Sequence, residues 1–334
     1  MPRTNRTQSL VPDTVPVAGA SDLRTGAYVT SQRRYRLAGR IAEGGMGMIY
    51  RAHDTSLHRD VALKFLKPGV PPIARERFSR EARIGASMSH PNLVPVFDRG
   101  RLPDGGEWLA MELLAGHDLH DVIESQGRLG VPLLVDIFTQ MLDVLGYVHE
   151  RDLVHRDVKP ENVFVVRDPR CNRVTVARLL DFGIALDRRE RTPRTAMVVG
   201  DPRYMSPEQT RLDTHVDGRA DLYAVGVALY QAATGRHPLH ERLNGPMLGL
   251  LYGHREGGFE PPSHFVPGGL PQRFSRALDA IVARACAVDP EDRYPTADAM
   301  REEIAALAEL AQTPGVSGLV AANGGGGTHL RSAS

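Results

Sequence analysis

His155-Arg156-Asp157-Val158-Lys159-Pro160-Glu161-Asn162, with Asp181-Phe182-Gly183 downstream, is the stretch whose reading decides the rest of the chain. The first run can set a carboxylate, Asp157, beside a hydroxyl nucleophile and an amide, Asn162, beside a metal ion. The second run supplies another carboxylate, Asp181, to a metal. Two hard oxygen ligands next to a base suit the transfer of a phosphoryl group from a metal-bound nucleotide to an alcohol. Neither run is informative residue by residue; the order and spacing carry the signal.

Upstream, Glu43-Gly44-Gly45-Met46-Gly47-Met48-Ile49-Tyr50 reads as a glycine-rich loop between two strands. Glycines let backbone N–H groups approach phosphate oxygens with no Cβ in the way. Glycine clusters also make ordinary hairpins, so the flanks matter. A dinucleotide fingerprint leads into a helix, whereas Ile49-Tyr50-Arg51 continues as a strand, and the GxxxxGK(S/T) run of P-loop enzymes is absent.

At these residues the chain resembles the eukaryotic-type, or Hanks-type, protein kinases, and Lys159 resembles their Ser/Thr branch. Gly44-Gly45-Met46-Gly47 and Ser206-Pro207-Glu208-Gln209 are similar to bacterial members. The resemblance covers residues 35 to about 310. It implies an α+β, bilobal protein kinase fold: a small antiparallel β-sheet N-lobe with one main helix (35–113) and a larger, mainly helical C-lobe (114–310). The implied reaction moves the γ-phosphoryl group of ATP, with Mg²⁺ or Mn²⁺, to Ser and Thr hydroxyls of proteins. The runner-up is a pseudokinase, a nucleotide-binding scaffold without transfer.

The roles implied by the resemblance fall on named positions. Asp157 accepts or orients the hydroxyl proton, and Lys159 steadies the phosphoryl group in flight. Asn162 and Asp181 hold the metal. Lys64, in Val61-Ala62-Leu63-Lys64, reaches the nucleotide phosphates and pairs with Glu81, for which Glu76 on the same helix is the competitor. Nucleotide binding is expected of Ala42, Gly44, Gly45, Gly47 and Ile49 in the loop and of Ala62. It is also expected of Met111, Glu112 and Leu114 at the hinge, of Asp118 near the ribose, and of Phe164. His155 and Phe182 are structural, Asp221 anchors the catalytic loop, and Glu208 pairs with Arg293. Thr195, then Thr192, are expected phosphorylation sites, with Arg156 as the docking cation and self-association as the means of trans-autophosphorylation.

Three positions depart from the family pattern. Ala42 stands at the first glycine of GxGxxGxV. Gly85 stands one turn after Glu81, where a bulky apolar residue is usual, and is expected to leave a gap and weaken the helix by about 1 kcal/mol. Asp201 follows Gly200 where a threonine is usual. A carboxylate there either crowds Asp157, since like charges resist joint ionisation, or pairs with Arg203 and turns away.

Around these motifs the chain is ordinary for a globular protein: 334 residues, 42% hydrophobic and 24% charged. Forty-one Lys+Arg against 40 Asp+Glu argue against a general nucleic-acid binder. Cys171 and Cys286 form no CxxC pair and read as reduced thiols, and the thirteen histidines show no metal-ligand spacing. No apolar N-terminal leader is visible, and Val131–Val148, interrupted by Asp136, Gln140 and Asp143, reads as a core helix with no membrane span. A cytoplasmic location is the expectation. Residues 1–34 and 311–334, rich in Pro, Gly, Ser and Thr, read as flexible tails.

Overall fold

Short β-like runs dominate residues 35–113, and they pair in the order the motifs require. The structure is a computed structural model that describes residues 23–30, 32–44, 47–167, 174–182, 185–187, 200–213, 215–266 and 270–312. Strands β1 (Tyr35–Glu43), β2 (Gly47–Asp54), β3 (Arg59–Leu66), β4 (Val96–Arg101) and β5 (Glu107–Glu112) form one antiparallel sheet in the order β1-β2-β3-β5-β4. Alternation buries Tyr35, Leu37, Tyr50, Leu63, Phe65 and Trp108 together on one side, with Tyr35 and Trp108 meeting edge to face at 5.4 Å. Helix α1 (Pro72–Ser87) opens with a proline whose missing N–H costs nothing there. It packs Phe78 and Ala82 on Leu66 and Leu109.

One boundary needs correction. Residues 23–30, read as part of the N-terminal tail, lie on the sheet: Val29 is 1% exposed, and the Val29 N–H donates to the Tyr35 carbonyl at 3.0 Å. The segment is too short to show a periodicity. Residues 313–334 lie outside the described residues.

The C-lobe is helical. Its helices are α2 (Leu119–Gln126), α3 (Val131–His149), α4 (Pro207–Arg211), α5 (Arg219–Thr234), α6 (Met247–Glu256), α7 (Gln272–Ala285) and α8 (Ala297–Leu310). Every residue of α5 from Ala220 to Thr234 is buried, which marks it as the central helix. Helix α3 is long and apolar enough to cross a membrane by length and composition, but it buries Leu134, Ile137, Phe138, Met141, Leu142 and Leu145 among α5, α8 and a strand of the C-lobe. Two small sheets sit at the cleft: β6 (Gly116–Asp118), β8 (Val163–Arg167) and β9 (Val174–Leu179), and the pair β7 (Leu153–Val154) and β10 (Leu186–Asp187). Between β7 and β8 runs the catalytic stretch.

The lobes are stitched together behind the cleft. Leu93 bridges Leu179 of β9, and Asn92 Nδ2 donates to Gln140 Oε1 at 2.7 Å and to the Ala177 carbonyl at 2.9 Å. Met88, just past α1, is buried in the C-lobe core, and Ile84 packs against that core. The gap expected at Gly85 does not exist. A Cβ there would lie 2.5 Å from Val96 Cγ2, so β4 fills the space that a side chain of α1 would otherwise take.

Candidate active site

The catalytic loop is held by one buried carboxylate. Asp221, in the first turn of α5, accepts the His155 and Arg156 N–H groups at 2.9 and 2.8 Å and meets His149 Nε2 at 2.8 Å. Burial alone would raise its pKa, but these partners hold it below the usual carboxylate range. The anchoring has a purpose, because Arg156 sits at φ 65°, a left-handed conformation that non-glycine residues keep only when their surroundings impose it. His155 lies under Phe182, ring to ring at 4.8 Å, and its Nε2 donates to the Leu180 carbonyl at 2.9 Å. Both residues are structural, as the sequence implies.

The loop delivers its side chains to one place. Asn162 Nδ2 donates to the Asp157 carbonyl at 2.8 Å and to Asp157 Oδ2 at 3.0 Å. With the amide nitrogen so committed, its amide oxygen is the atom suited to a metal. Lys159 Nζ lies 3.3 Å from Asp157 Oδ2. Burial raises the Asp157 pKa while Lys159 opposes it, leaving the group shifted upward as suits a base. Asn162 and Asp181 offer hard oxygen donors, and among the described residues no group of three His, Cys, Asp or Glu side chains is placed to hold a metal ion. A divalent cation would suit these oxygen donors.

Across the cleft, Lys64 Nζ donates to both carboxylate oxygens of Glu81 at 2.7 Å and stands 3.8 Å from Asp181 Oδ2. Glu76 instead faces Arg80 at 3.4 Å, so Glu81 is the partner. Burial would lower the Lys64 pKa, but Glu81 and Asp181 push it up to about 12. Burial also pushes Glu81 upward, against the pull of the ammonium. With two short contacts to Nζ, we assign the charged pair.

The positions expected to bind nucleotide fall on the neighbouring strands and turns. Ala42 pairs in register with Ile49, and Ala62 with Met111. Gly47 passes so close to β3 that a Cβ would meet the Phe65 carbonyl oxygen at 2.7 Å. The Gly44 N–H donates to the Gly47 carbonyl at 2.9 Å, while Gly45 lies outside the described residues. At the hinge, the Glu112 N–H donates to the Pro95 carbonyl at 3.1 Å and the Glu112 side chain meets Arg178 at 3.3 Å. Leu114 follows β5, half-buried. Asp118 pairs with Phe164 in register and also caps α2, its Oδ1 accepting the Asp121 N–H at 2.8 Å, a structural task the sequence did not disclose.

Asp201 follows neither alternative whole: it pairs with Arg203 but stays beside Lys159. Arg203 grips it with Nε on Oδ1 at 3.0 Å and Nη2 on Oδ2 at 2.6 Å, yet Asp201 does not turn away. Its Oδ2 is 3.6 Å from Lys159 Nζ, and its N–H donates to Asp157 Oδ1 at 3.1 Å. Burial would raise the Asp201 pKa, but the guanidinium outweighs it and holds the group low. Gly200, at φ 117°, leads into this turn, where a Cβ would meet the Arg156 carbonyl at 2.8 Å.

Two histidines that spacing did not single out lie beneath the turn. His237 Nε2 donates to the Arg203 carbonyl at 2.8 Å, and His254 Nε2 to the Pro202 carbonyl at 3.1 Å. Each Nδ1 then accepts, from the Leu239 N–H at 3.0 Å and the Tyr223 hydroxyl at 2.8 Å. Both rings are therefore neutral, and burial lowers each pKa to about 4. Nearby, Arg293 clasps Glu208 at 2.8 and 2.7 Å, as expected. Thr192 and Thr195 lie outside the described residues.

The comparisons agree with this geometry. The protein kinase domain family matches residues 35–304. The chain is 38% identical over 292 residues to the serine/threonine-protein kinase pkn3 of Myxococcus xanthus, covering 85% of this chain and 52% of that protein. It is 34% identical over 278 residues to the serine/threonine-protein kinase PknB of Mycobacterium leprae, covering 81% of this chain and 42% of that protein. It thus spans about half or less of the length of these relatives. Matching from the first strand into the last helix and resembling bacterial enzymes along that whole stretch, the chain belongs to the protein kinase family, on its bacterial Ser/Thr branch.

Proposed function

We propose that the chain is an ATP-dependent serine/threonine protein kinase, and that Mg²⁺ is its metal. The observation that carries the reading is the assembled cleft: Lys64 is locked on Glu81 while Asp157 and Lys159 stand together on the facing loop. Bound Mg²⁺ supplies charge neutralisation on the phosphates. Asn162 and Asp181 orient it through their oxygens. The Lys64 ammonium, held by Glu81, binds nucleotide phosphate oxygens. Asp157 takes the proton of a Ser or Thr hydroxyl as that oxygen bonds to the γ-phosphorus and the bond to the β-phosphate oxygen breaks. Lys159 offsets charge on the moving group, and ADP leaves. Because the Glu112 N–H is used by Pro95, Glu112 meets adenine through its carbonyl, and Leu114 through its N–H.

Transfer of labelled phosphate from ATP to a generic Ser/Thr acceptor, with Asp157→Asn as control, tests the reading. Equal incorporation by both proteins, or none by either, rejects it. Phosphorylation of one copy by another at Thr195, and secondarily Thr192, is part of the proposal. Mass spectrometry of an active preparation that finds Thr195 unmodified would remove that part alone.

A further inference from the structure

We propose that Arg203 is a positioning residue for Lys159, acting through Asp201; this rests on the kinase reading above. Lys159 stands between two carboxylates. Its Nζ is 3.3 Å from Asp157 Oδ2 and 3.6 Å from Asp201 Oδ2. Distance alone barely separates the two attractions, because Coulomb energy varies only as 1/r. Arg203 breaks the tie. Three of its donors fall on Asp201: the backbone N–H and Nε on Oδ1, both at 3.0 Å, and Nη2 on Oδ2 at 2.6 Å, the same oxygen that Lys159 approaches. With that oxygen satisfied, the ammonium stays with the base and is available to the phosphoryl group. Without the guanidinium, Lys159 is the cation left beside Asp201 among the described residues, and the ammonium is drawn off the reaction axis.

The placement of Arg203 is built in. His237 and His254 hold the carbonyls of Arg203 and Pro202 from beneath, so the guanidinium is presented without reorganisation. Asp201 in place of the usual hydroxyl makes this arrangement a unit: the carboxylate requires the arginine. The competing view is that Arg203 merely ties the loop to Glu161, whose Oε1 it also contacts at 2.6 Å while Oε2 is buried without a hydrogen-bond partner among the described residues.

The test compares Arg203→Leu with two double variants in steady-state kinetics. Arg203→Leu is expected to lower kcat by about ten- to a hundred-fold while the KM for ATP stays within about two-fold, since the Lys64 side of the cleft is untouched. Adding Asp201→Thr is expected to restore about ten-fold of the loss, because the competing carboxylate is gone; adding Glu161→Gln is not. Arg203→Gln, which keeps hydrogen bonds but no charge, gives the same pattern if the leucine variant does not fold. A kcat within about two-fold of wild type for the charge-free variants overturns the inference, as does rescue by Glu161→Gln equal to that by Asp201→Thr, or a loss confined to KM. Loss without rescue rejects this inference and leaves the kinase reading standing, whereas a wild-type protein that transfers no phosphate rejects both.

Discussion

Two carboxylate–cation pairs in this protein have nearly identical contact distances and opposite uses. Arg293 and Glu208 are 0% and 6% exposed, and every one of the five guanidinium N–H donors is taken: two by Glu208, the others by the Ala287, Arg219 and Val288 carbonyls. Lys64 and Glu81 are 21% and 12% exposed, and the two hydrogen bonds of Lys64 both go to Glu81, which leaves one ammonium N–H with no hydrogen-bond partner among the described residues. The first pair is saturated and can only hold the structure together. The second is held in place by its partner yet keeps a donor for something that arrives. Saturation separates the scaffold from the site here; distance does not.

The largest effect should come from breaking the saturated pair. Arg293→Met strands the Glu208 carboxylate in a sealed interior, which costs about 3–5 kcal/mol. In a domain of this size that lowers Tm on the order of 10 °C, measured by calorimetry. A shift of a degree or two would mean the C-lobe does not depend on the pair.

Lys64→Met should lower kcat by about 10²–10³-fold, equivalent to about 3–4 kcal/mol, with Tm shifted by only about 3 °C. Glu81 is left unpaired, but it borders an open cleft and can take a proton or water. If Tm falls as far as in Arg293→Met, the contrast between the two pairs fails.

The neutral histidines add a pH dimension to the saturated side. Their pKa is about 4 when folded against an ordinary 6.5, so the unfolded chain binds protons first as pH falls. Their contribution to stability is complete above pH 6.5 and is lost between there and about pH 4, amounting to about 3 kcal/mol per histidine. Urea unfolding across that range should show the loss, and His237→Gln should flatten part of it. An unchanged slope would mean that His237 is not buried neutral.

The smallest effect concerns the unsaturated side of the contrast. Gly85→Leu forces a side chain against Val96 and should cost about 1–3 kcal/mol, with a lower kcat because α1 carries Glu81. Stability rising instead would restore the gap expected from the sequence.

The sequence made the candidate reacting groups legible because such chemistry fixes residue type and spacing together, and the fold brings Asn162 onto Asp157 and Lys64 to within 3.8 Å of Asp181. It was weaker wherever the decisive partner is remote in the chain. Val96 fills the place beside Gly85 from another strand, and residues 23–30 pack without any pattern of their own. His237 and His254 look like any other histidines until the turn at 202–203 is laid across them. For Asp201, charge alone posed the question, and only geometry could show one carboxylate serving Arg203 and Lys159 together.

The anchoring of α1 at its C-terminal end makes the helix a lever. Met88 and Ile84 belong to the C-lobe packing, and the Ser89 N–H donates to the Tyr147 hydroxyl at 3.1 Å, so a rotation about this anchor would pivot near Ser87, against the tether of the Arg80 guanidinium on the Ala185 carbonyl at 3.0 Å. Glu81 sits six residues back, about 9 Å along the axis. A swing of roughly 20° about that fulcrum carries the carboxylate through about 3 Å, more than the 2.7 Å contact with Lys64 can survive. The far end at Pro72 travels more than twice as far. A push on the N-terminal turn of α1 that turned the helix about this end would therefore open the Lys64–Glu81 contact with mechanical advantage.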